Sequence, residues 1–326
     1  MGNLPAMRVN EELPFSNVGI DYCGPLYIKE KKFRNRNKIK VYVVVFVCLT
    51  IEAIHLELVS DLTTEAFLAS LKRFIARRGK CKNIYSDNGT NFIGANNELK
   101  ELHKLLTSKT HQSTVDAFLT NEGTHWHFIP PQTPNFGGLW EAGVRSFKHH
   151  LRRVVGNELF TYEELNTVVV QIEAILNSRP ITSMSSDPND FRALTPGHFL
   201  IGRPLTALPE YDFRYTPTNR LSHWHYLEKV KRDFWVRWHK EYLNELNHRQ
   251  KWTQGQHSIK EGSLVVLRDD NLPPLQWALG RVVRTYPGSD DIILIVDVKT
   301  STGTYQRNVR KLAPLPQTEP CQPPSD

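Results

Sequence analysis

Three acidic residues occupy positions where carboxylate chemistry would need them. Asp21 lies within an otherwise apolar segment, Asp87 ends a second one, and Glu141 directly follows a glycine-rich loop. A carboxylate inside an apolar strand needs something that satisfies its charge, and a divalent cation does so. Its oxygens are hard ligands that suit Mg²⁺ or Mn²⁺. Because two such ions can activate an attacking hydroxyl and stabilise a leaving oxygen, the first hypothesis is metal-dependent phosphoryl transfer.

Each of the three acids also has a simpler interpretation. Asp21 could bond a backbone group, Asp87 beside Asn88 and Gly89 is a typical turn residue, and Glu141 suits the positive end of a helix. For any one residue taken singly, the simpler interpretation is favoured. The triplet is only suggestive of a site, because a folded sheet must bring together residues so far apart in the chain.

A basic stripe follows the third acid. Arg145, Lys148 and Arg152 stand four, seven and eleven residues after Glu141, so all four lie on one face of a helix. A carboxylate at the head of a basic stripe suits a phosphodiester substrate. The open alternative is a Glu–Arg pair on a solvated helix face.

Composition points towards a polyanionic partner. The 326 residues carry 41 Lys and Arg against 34 Asp and Glu, a net charge of +7. This balance favours nucleic acid over a membrane surface.

No phosphate-binding or dinucleotide-binding glycine motif is present, so no nucleotide cofactor is expected. The four cysteines form no C-x-x-C pair, and the longest apolar run, Val41 to Leu49, is too short to span a bilayer. We expect an intracellular protein, nuclear or cytoplasmic, that is not secreted and has no membrane partner.

Hydrophobic patterning predicts an α/β fold, a mixed sheet flanked by helices, because three adjacent strands are followed by alternating helices and strands. A helix capped by Asp61 or Thr63 ends at Gly79, and Glu141 opens another. Late short strands suggest a small C-terminal β-barrel. The predicted strands are Val18–Ile28, Lys40–Cys48, Glu52–Val59, Ile84–Tyr85, His125–Ile129, Ser263–Arg268, Trp277–Tyr286, Ile292–Val298 and Thr304–Val309; the predicted helices are Ala95–Leu106, Leu139–Val155, Tyr162–Asn177 and Leu221–Leu246.

These elements predict a chain of several parts. The predicted limits are 1–16 for an N-terminal arm or linker, 17–180 for the catalytic core, 181–220 for a Pro-rich connector, 221–250 for a basic aromatic helix, 251–315 for a small β-barrel that binds DNA, and 316–326 for a disordered tail. In the basic aromatic helix, Lys231, Arg232 and Arg237 are candidates to contact phosphate. Its aromatic residues are assigned to packing on the barrel in preference to base stacking.

Several segments resemble a known family. "GIDYCGP" around Asp21, "YSDNGTNF" around Asp87 and "PNFGGLWEAGVRSFK" around Glu141 resemble the three catalytic blocks of retroviral-type integrases. "LNSRPI", "LTPGHFLIGRP" and "GSLVVLRDDNLPPLQWALGRVV" are similar to the integrase region of BEL/Pao long-terminal-repeat retrotransposons. The likeness covers nearly the whole chain.

The resemblance implies a ribonuclease-H-like fold in which Asp21, Asp87 and Glu141 hold two Mg²⁺ (or Mn²⁺) ions. It implies 3′-end processing of element DNA and strand transfer into target DNA at one site. The implied partners are double-stranded DNA, as element ends and as target, and further copies of the chain. We assign DNA contacts to Asn88, Arg145, Lys148 and Arg152.

Two departures from the family pattern bear on activity. The paired His and paired Cys of the zinc-binding N-terminal domain have no counterpart here, so we expect a fragment, a partial gene product or a degenerate copy. The stretch between Asp87 and Glu141 is longer than in retroviral enzymes, and the extra residues are placed at 107–121. One competing hypothesis is therefore a catalytically idle DNA-binding remnant. Another is a ribonuclease-H-type nuclease, which lacks an evident fourth acid.

Overall fold

Three valine- and isoleucine-rich segments pair into the first sheet of the chain, as seen in a computed structural model. It describes residues 10–30, 37–86, 93–94, 97, 124–128, 134–156, 158–213, 215–217, 220–254, 259–288 and 293–316, with backbone alone at 134–143 and 248–254. The chain divides into two compact units, residues 1–176 and 177–326. The domain limits given by the sequence patterns stay predictions.

The first unit is built on a five-stranded mixed sheet. Its strands are β1 (Asn17–Lys29), β2 (Lys38–Cys48), β3 (Ile54–Val59), β4 (Asn83–Ser86) and β5 (His125–Phe128). β1, β2 and β3 form an antiparallel meander, β4 pairs parallel with β1, and β5 pairs parallel with β4. The spatial order is β3-β2-β1-β4-β5, so β1 lies at the centre. A β-branched run from Val43 to Val47 makes β2 almost fully buried, as expected for a strand covered on both faces.

Two helices cover opposite faces of this sheet. α1 (Thr64–Arg78) begins at Thr63, whose side chain accepts a hydrogen bond from the Ala66 amide, and ends at Gly79. Phe67 of α1 lies against Tyr22 of β1. Asp21, the next residue along the strand, points to the other face, where Lys148 of α2 (Pro134–Val155) contacts it. The mixed sheet flanked by helices that was expected from the sequence is confirmed.

The start of α2 differs from the prediction. The helix begins at Pro134, five residues before the expected Leu139, and includes Gly137 and Gly138. Proline is favoured in the first turn of a helix because a backbone N–H at that position has no hydrogen-bond partner within the helix. Its absence in proline therefore costs nothing. Glu141 therefore does not open the helix, since it lies about two turns inside it. The helix predicted at 95–106 and the extra residues at 107–121 lie outside the described residues.

The second unit contains a long helix and a second sheet. Two short strands, β6 (Thr182–Ser183) and β7 (Ala193–Leu194), and a short helix, α4 (Pro196–Ile201), lie in the predicted connector, and α3 (Tyr162–Asn177) precedes them. α5 (His223–Gln254) runs eight residues past its predicted end. The second sheet contains β8 (Leu264–Leu267), β9 (Ala278–Pro287), β10 (Ile293–Thr300), β11 (Gly303–Asn308) and β12 (Leu312–Pro314).

This second sheet is antiparallel, as predicted, but it is not the closed barrel that was expected. Its order is β11-β10-β9-β8-β12, and within the described part of the chain no ladder joins the two edge strands. β12 was missed because three residues are too few to show alternation. Val265, Val282 and Val296 form part of its core. Across the described ranges, no helix combines the length and apolar character needed to cross a membrane.

Candidate active site

Asp21 lies in the middle of the central strand, with its carboxylate half-buried. It pairs with Val45 of β2, and its Oδ1 accepts a hydrogen bond from the backbone amide of Tyr22 at 2.6 Å. Its Oδ2 accepts one from Lys148 Nζ at 2.7 Å, and the two side chains are 31% and 25% exposed. The Lys148 ammonium thus neutralises the carboxylate of Asp21 and supplies the countercharge that a carboxylate in an apolar strand needs.

α2 brings a row of basic side chains over this carboxylate. Arg152, one turn beyond Lys148, donates from Nη2 to the Gly24 carbonyl at 2.6 Å. The contact holds the C-terminal half of α2 against the irregular part of β1, where the register with β2 shifts between Cys23 and Leu26. An open pocket of about 530 Å³ results, and it is lined by Asp21, Val144, Arg145, Lys148, His149, Arg152 and Arg153.

The pocket's charge suits an anion. Four Lys or Arg side chains and one histidine surround a single described carboxylate, so the surface attracts phosphate groups.

A thiol, Cys23, lies two residues from Asp21 on the same strand face. Burial raises the pKa of Cys23 to about 11, against the smaller lowering effects of Arg152 and Lys148. The thiol therefore stays protonated at neutral pH and supplies no thiolate nucleophile.

The other two predicted acids are only partly covered by the structure. β4 ends at Ser86, so Asp87 and Asn88 lie outside the described residues. Glu141 has a described backbone position in α2, seven residues before Lys148, while its side chain lies outside the description. Because α-helical neighbours seven apart share a face, Glu141 and Lys148 lie on one side of α2, as the spacing predicted.

A metal site needs several donor side chains close together. Among the described residues no group of three His, Cys, Asp or Glu side chains is close enough to hold an ion. Two of the three predicted ligands fall outside the described side chains, so this finding does not bear on the triplet. Asp21 itself offers oxygen donors of the kind that Mg²⁺ binds, in the wall of an open pocket.

Three of the predicted DNA contacts line the Asp21 pocket, and three others lie in the second unit. Arg145, Lys148 and Arg152 are brought together with Asp21. In α5, Lys231 is 3% exposed and pairs with Glu228 and Glu210, and Arg232 is 7% exposed. The side chains of Lys231 and Arg232 are buried in contacts within the unit, whereas that of Arg237 is exposed. We carry only Arg237 forward as a phosphate contact of α5.

Sequence reasoning did not identify His149 and Arg153 as members of the pocket. Both stand one residue after a member of the predicted stripe, so they lie about 100° round the helix from it. A helical projection of α2 shows them flanking the stripe. The sequence therefore contained this information. The contact between Lys148 and Asp21 was needed to show which side of the helix faces the pocket.

Comparisons with known proteins match the chain to one family and to many solved structures. Residues 222–315, which contain α5 and the second sheet, match a family described as a family of unknown function, DUF5641. No curated protein matches the chain.

One similar structure is the simian T-cell lymphotropic virus intasome in complex with the PP2A regulatory subunit B56 gamma. It shows 13% identity and a TM-score of 0.37 and covers 93% of this chain and 79% of that one. Another is the HTLV-2 integrase catalytic core domain in complex with magnesium, in a dimeric form. It shows 16% identity and a TM-score of 0.32 and covers 51% of this chain and 88% of that one. Both TM-scores are low, so the fold assignment stands on the chain's own strand order and register.

Proposed function

We propose that this chain is the core of a retroelement integrase of BEL/Pao type, which processes and joins DNA ends with Asp21, Asp87 and Glu141. The observation that carries the proposal is the pocket in which Asp21 stands among four Lys and Arg side chains. A carboxylate within a basic pocket combines a surface that attracts anions with an oxygen donor for a metal. It suits a phosphodiester, because the cations bind the phosphate and the carboxylate holds a reacting group.

The register of the sheet supports including Asp87. β1 and β4 pair in parallel as Asn17 with Asn83, Val18 with Ile84 and Gly19 with Tyr85, a constant offset of 66 residues. Asp21 and Asp87 have this same offset, and Asp87 directly follows the last residue of β4. We therefore propose that the two carboxylates leave neighbouring strands at one level. This is the arrangement that two ligands of a shared ion need.

In this proposal, two Mg²⁺ or Mn²⁺ ions held by the three acids supply Lewis-acid stabilisation and an activated hydroxyl. The chain's own residues bind and orient the DNA. Lys148 releases Asp21 and contacts a phosphate, while Arg145 and Arg152 neutralise phosphates along the same strand. A 3′-hydroxyl attacks the target phosphorus, the bond to the leaving 3′-oxygen breaks, and no covalent link to the protein forms. As proposed partners we keep double-stranded DNA and further copies of this chain.

An end-joining assay tests this proposal. The full chain is incubated with magnesium and a labelled duplex that carries the terminal sequence of its element, and joining into a second duplex is followed. Asp21→Asn should abolish joining while DNA affinity is unchanged or higher, because a negative charge is removed from the pocket. Glu65→Gln, an exposed carboxylate change on α1, is the matched control and should join normally. Normal joining by Asp21→Asn would sink the site assignment.

A second candidate function is an idle DNA-binding remnant. It is favoured by one observation, the engagement of both Asp21 oxygens by Tyr22 and Lys148, which leaves the carboxylate neutralised without a metal. In the same assay, a remnant would bind the duplex without cleaving or joining it. Binding without joining by the wild-type chain, at every divalent ion tested, therefore supports this alternative over the transferase.

A further inference from the structure

An extended segment of the second unit lies along the first half of α5. This segment, residues 208–213, is called the strap below, and it contains neither helix nor strand. Phe213 stacks on His225 with ring centroids 4.5 Å apart, and its carbonyl accepts a hydrogen bond from Lys229 Nζ at 3.3 Å. Because Lys229 and Arg232 follow His225 by four and seven residues, the three side chains share one face of the helix.

Two carboxylates hold the strap on this part of the helix. Glu210 pairs with Lys231, and Asp212 Oδ2 is 3.8 Å from Arg232 Nη2. Lys231 also pairs with Glu228 of α5, at 2.6 Å. Counting the contacts made by the strap and by Glu228, three cations of the helix meet one carboxylate of the helix and two of the strap. The strap carboxylates therefore neutralise the charge that the helix leaves unbalanced.

The side chains of the strap are arranged in the opposite sense to those of an ordinary packed segment. Leu208 and Tyr211 are 81% and 86% exposed. The carboxylate side chains of Glu210 and Asp212 are only 29% and 40% exposed. A segment held by hydrophobic burial would turn its large apolar side chains inward. Charge therefore holds this part of the strap, and ion pairs that are partly open to solvent are weakened by salt.

Glu210 lies where its ionised form is disfavoured. Burial and the neighbouring Glu228 carboxylate raise the pKa of Glu210 from 4.5, and they outweigh Lys231, which lowers it. The ionised carboxylate is therefore less stable against the helix than in water, and it gains free energy when the strap leaves. The contact is thus one that a competing anion can displace.

We propose that Lys229, Lys231 and Arg232 form a binding site for DNA phosphates, which the strap carboxylates mask by occupying it. Carboxylates and phosphates offer lysine and arginine the same charge-assisted hydrogen bonds, so one can replace the other while the helix stays folded. Arg232 keeps its hydrogen bond to the Asn271 carbonyl at 3.0 Å, because a guanidinium has five N–H donors. Arg237 remains the exposed phosphate contact of α5, and the masked cations become contacts once the strap leaves. The masking rests on the proposed function, because it takes DNA as the ligand.

Neutralising the strap tests the masking by fluorescence anisotropy. The full chain is titrated with a labelled duplex at several salt concentrations, with a chelator present. The double variant Glu210→Gln with Asp212→Asn should bind the duplex about tenfold more tightly than the wild type at low salt. Its slope of log affinity against log salt should be steeper by about two, one for each phosphate gained. Adding Arg232→Gln should remove about half of this gain in slope, because one of the unmasked cations is lost.

Glu241→Gln with Glu261→Gln is the matched control, because it removes two exposed carboxylates of the same unit. Glu241 lies about two and a half turns of α5 beyond Arg232. Glu261 accepts a hydrogen bond from the Thr285 amide. This control should change the slope by much less than one. Equal changes in slope for the two double variants would leave only the general effect of net charge, and the masking would be wrong.

Thermal unfolding separates masking from a structural role of the strap. The neutralised strap should shift Tm by about 3 °C or less, because charge variants of partly exposed groups have small effects on stability. If that double variant unfolds, Asp212→Asn alone decides the question, since this carboxylate is 40% exposed. It should steepen the slope by about one, and an unchanged slope overturns the masking.

The end-joining assay distinguishes failure of the masking from failure of the proposed function. A wild type that joins ends, with a strap variant that binds DNA no more tightly, overturns the masking alone. A strap variant that gains affinity in a chain that joins no ends supports the masking and contradicts the proposed chemistry. A chain that binds no duplex in either form overturns both.

Discussion

At the scale of single residues, Lys148 is the side chain whose position has the most consequence. Its ammonium lies 2.7 Å from Asp21 Oδ2, where it supplies the positive charge that a bound cation would otherwise supply. The ammonium and a divalent ion beside the same carboxylate repel each other, because both are cations. If Asp21 holds a metal as proposed, we therefore expect Lys148 to move from Asp21 to a phosphate.

Lys148→Met should consequently separate metal binding from DNA binding. Methionine keeps most of the aliphatic stem but removes the ammonium that competes for Asp21. The variant should bind Mn²⁺ more tightly than the wild type, by about fivefold if the ion pair contributes roughly 1 kcal/mol in this half-exposed setting. It should also bind DNA more weakly, because one phosphate contact is lost. Isothermal titration with Mn²⁺, followed by anisotropy with duplex DNA, measures both changes.

Arg153→Met is the control for this variant. Arg153 lines the same pocket, but the side chain paired with Asp21 is Lys148. Removing Arg153 should weaken DNA binding without strengthening Mn²⁺ binding beyond the small effect of a lost nearby charge. Equal gains in Mn²⁺ affinity for the two variants would contradict a direct competition at Asp21 and leave only general electrostatics.

Only those parts of the candidate site that depend on residue type and on local spacing could be predicted from the sequence. Asp21 is identifiable because a carboxylate in an apolar strand is costly. The stripe of Arg145, Lys148 and Arg152 follows from helical periodicity. The contact between Lys148 and Asp21 joins residues 127 apart, and no local pattern encodes it. The burial of Lys231 could not be predicted either, because one of its two partners, Glu210, lies 21 residues earlier in an irregular segment.

At the scale of elements, the edge strand β3 is held by a buried charged network. Glu173 of α3 accepts a hydrogen bond from the Leu56 amide at 2.8 Å and pairs with Arg78 of α1. His55 Nε2 is 3.0 Å from Glu57 Oε1, and Arg73 Nε donates to Glu57 Oε2 at 2.6 Å. Because β3 is an edge strand, its outward amide needs a partner from elsewhere. Glu173 is that partner, and it joins α1, α3 and β3.

Replacing Glu173 by Gln should therefore destabilise the first unit strongly. The amide side chain can still accept from Leu56, but Arg78 loses its countercharge and His55 loses one of two, with Glu57 remaining. Removing one partner of a buried ion pair lowers the free energy of unfolding by about 3 kcal/mol or more. Urea unfolding followed by circular dichroism measures the loss. Glu163→Gln, an exposed carboxylate change on the same helix, should cost less than about 0.5 kcal/mol.

The pH dependence of this stabilisation has a definite window. Burial alone would lower the pKa of His55, but its hydrogen bonds to Glu173 and Glu57 outweigh burial and raise it from 6.5. Burial alone would raise the pKa values of Glu57 and Glu173, but the hydrogen bonds outweigh it and lower them from 4.5. The His55 contribution is complete below about pH 6.5 and is lost as pH rises through the raised value. The carboxylate contribution is complete above about pH 4.5 and is lost as pH falls through the lowered values. The difference in unfolding free energy between wild type and Glu173→Gln should thus be largest between these limits, and a flat difference from pH 3 to 8 would contradict the network.

How far the elements could be predicted depends on how local their cause is. β2 follows from its valine run, and α1 follows from the Thr63 cap and the Gly79 stop. The N-terminal end of α2 was placed too late, because Gly137 and Gly138 have low helix propensity and resemble a loop. Closure of the second sheet was predicted wrongly, because pairing of β11 with β12 is a long-range property that alternation along each strand does not reveal.

At the scale of the whole molecule, the net charge of +7 is not spread evenly over the described surface. In the first unit, cations line the Asp21 pocket, and lysines follow the arms of the β1–β2 hairpin. In the second unit, Arg237 is exposed on α5, while several other cations are paired, as Lys231 is with Glu228. If both units contact one DNA molecule, each should contribute its own share of the counterion release that makes binding salt-dependent.

Salt titrations of charge variants test this shared contact. Arg153→Ala in the first unit and Arg237→Ala in the second should each reduce the slope of log affinity against log salt by about one, and the double variant by about two. Neither change should depend on DNA sequence, because phosphate contacts carry no base information. Arg192→Ala is the control, since Arg192 is exposed but already paired with Asp190 at 2.9 Å, and its slope should equal the wild-type slope. A double variant with the slope of the Arg153→Ala single variant would mean that α5 does not touch the DNA bound at Asp21, and the second unit would then need a different role.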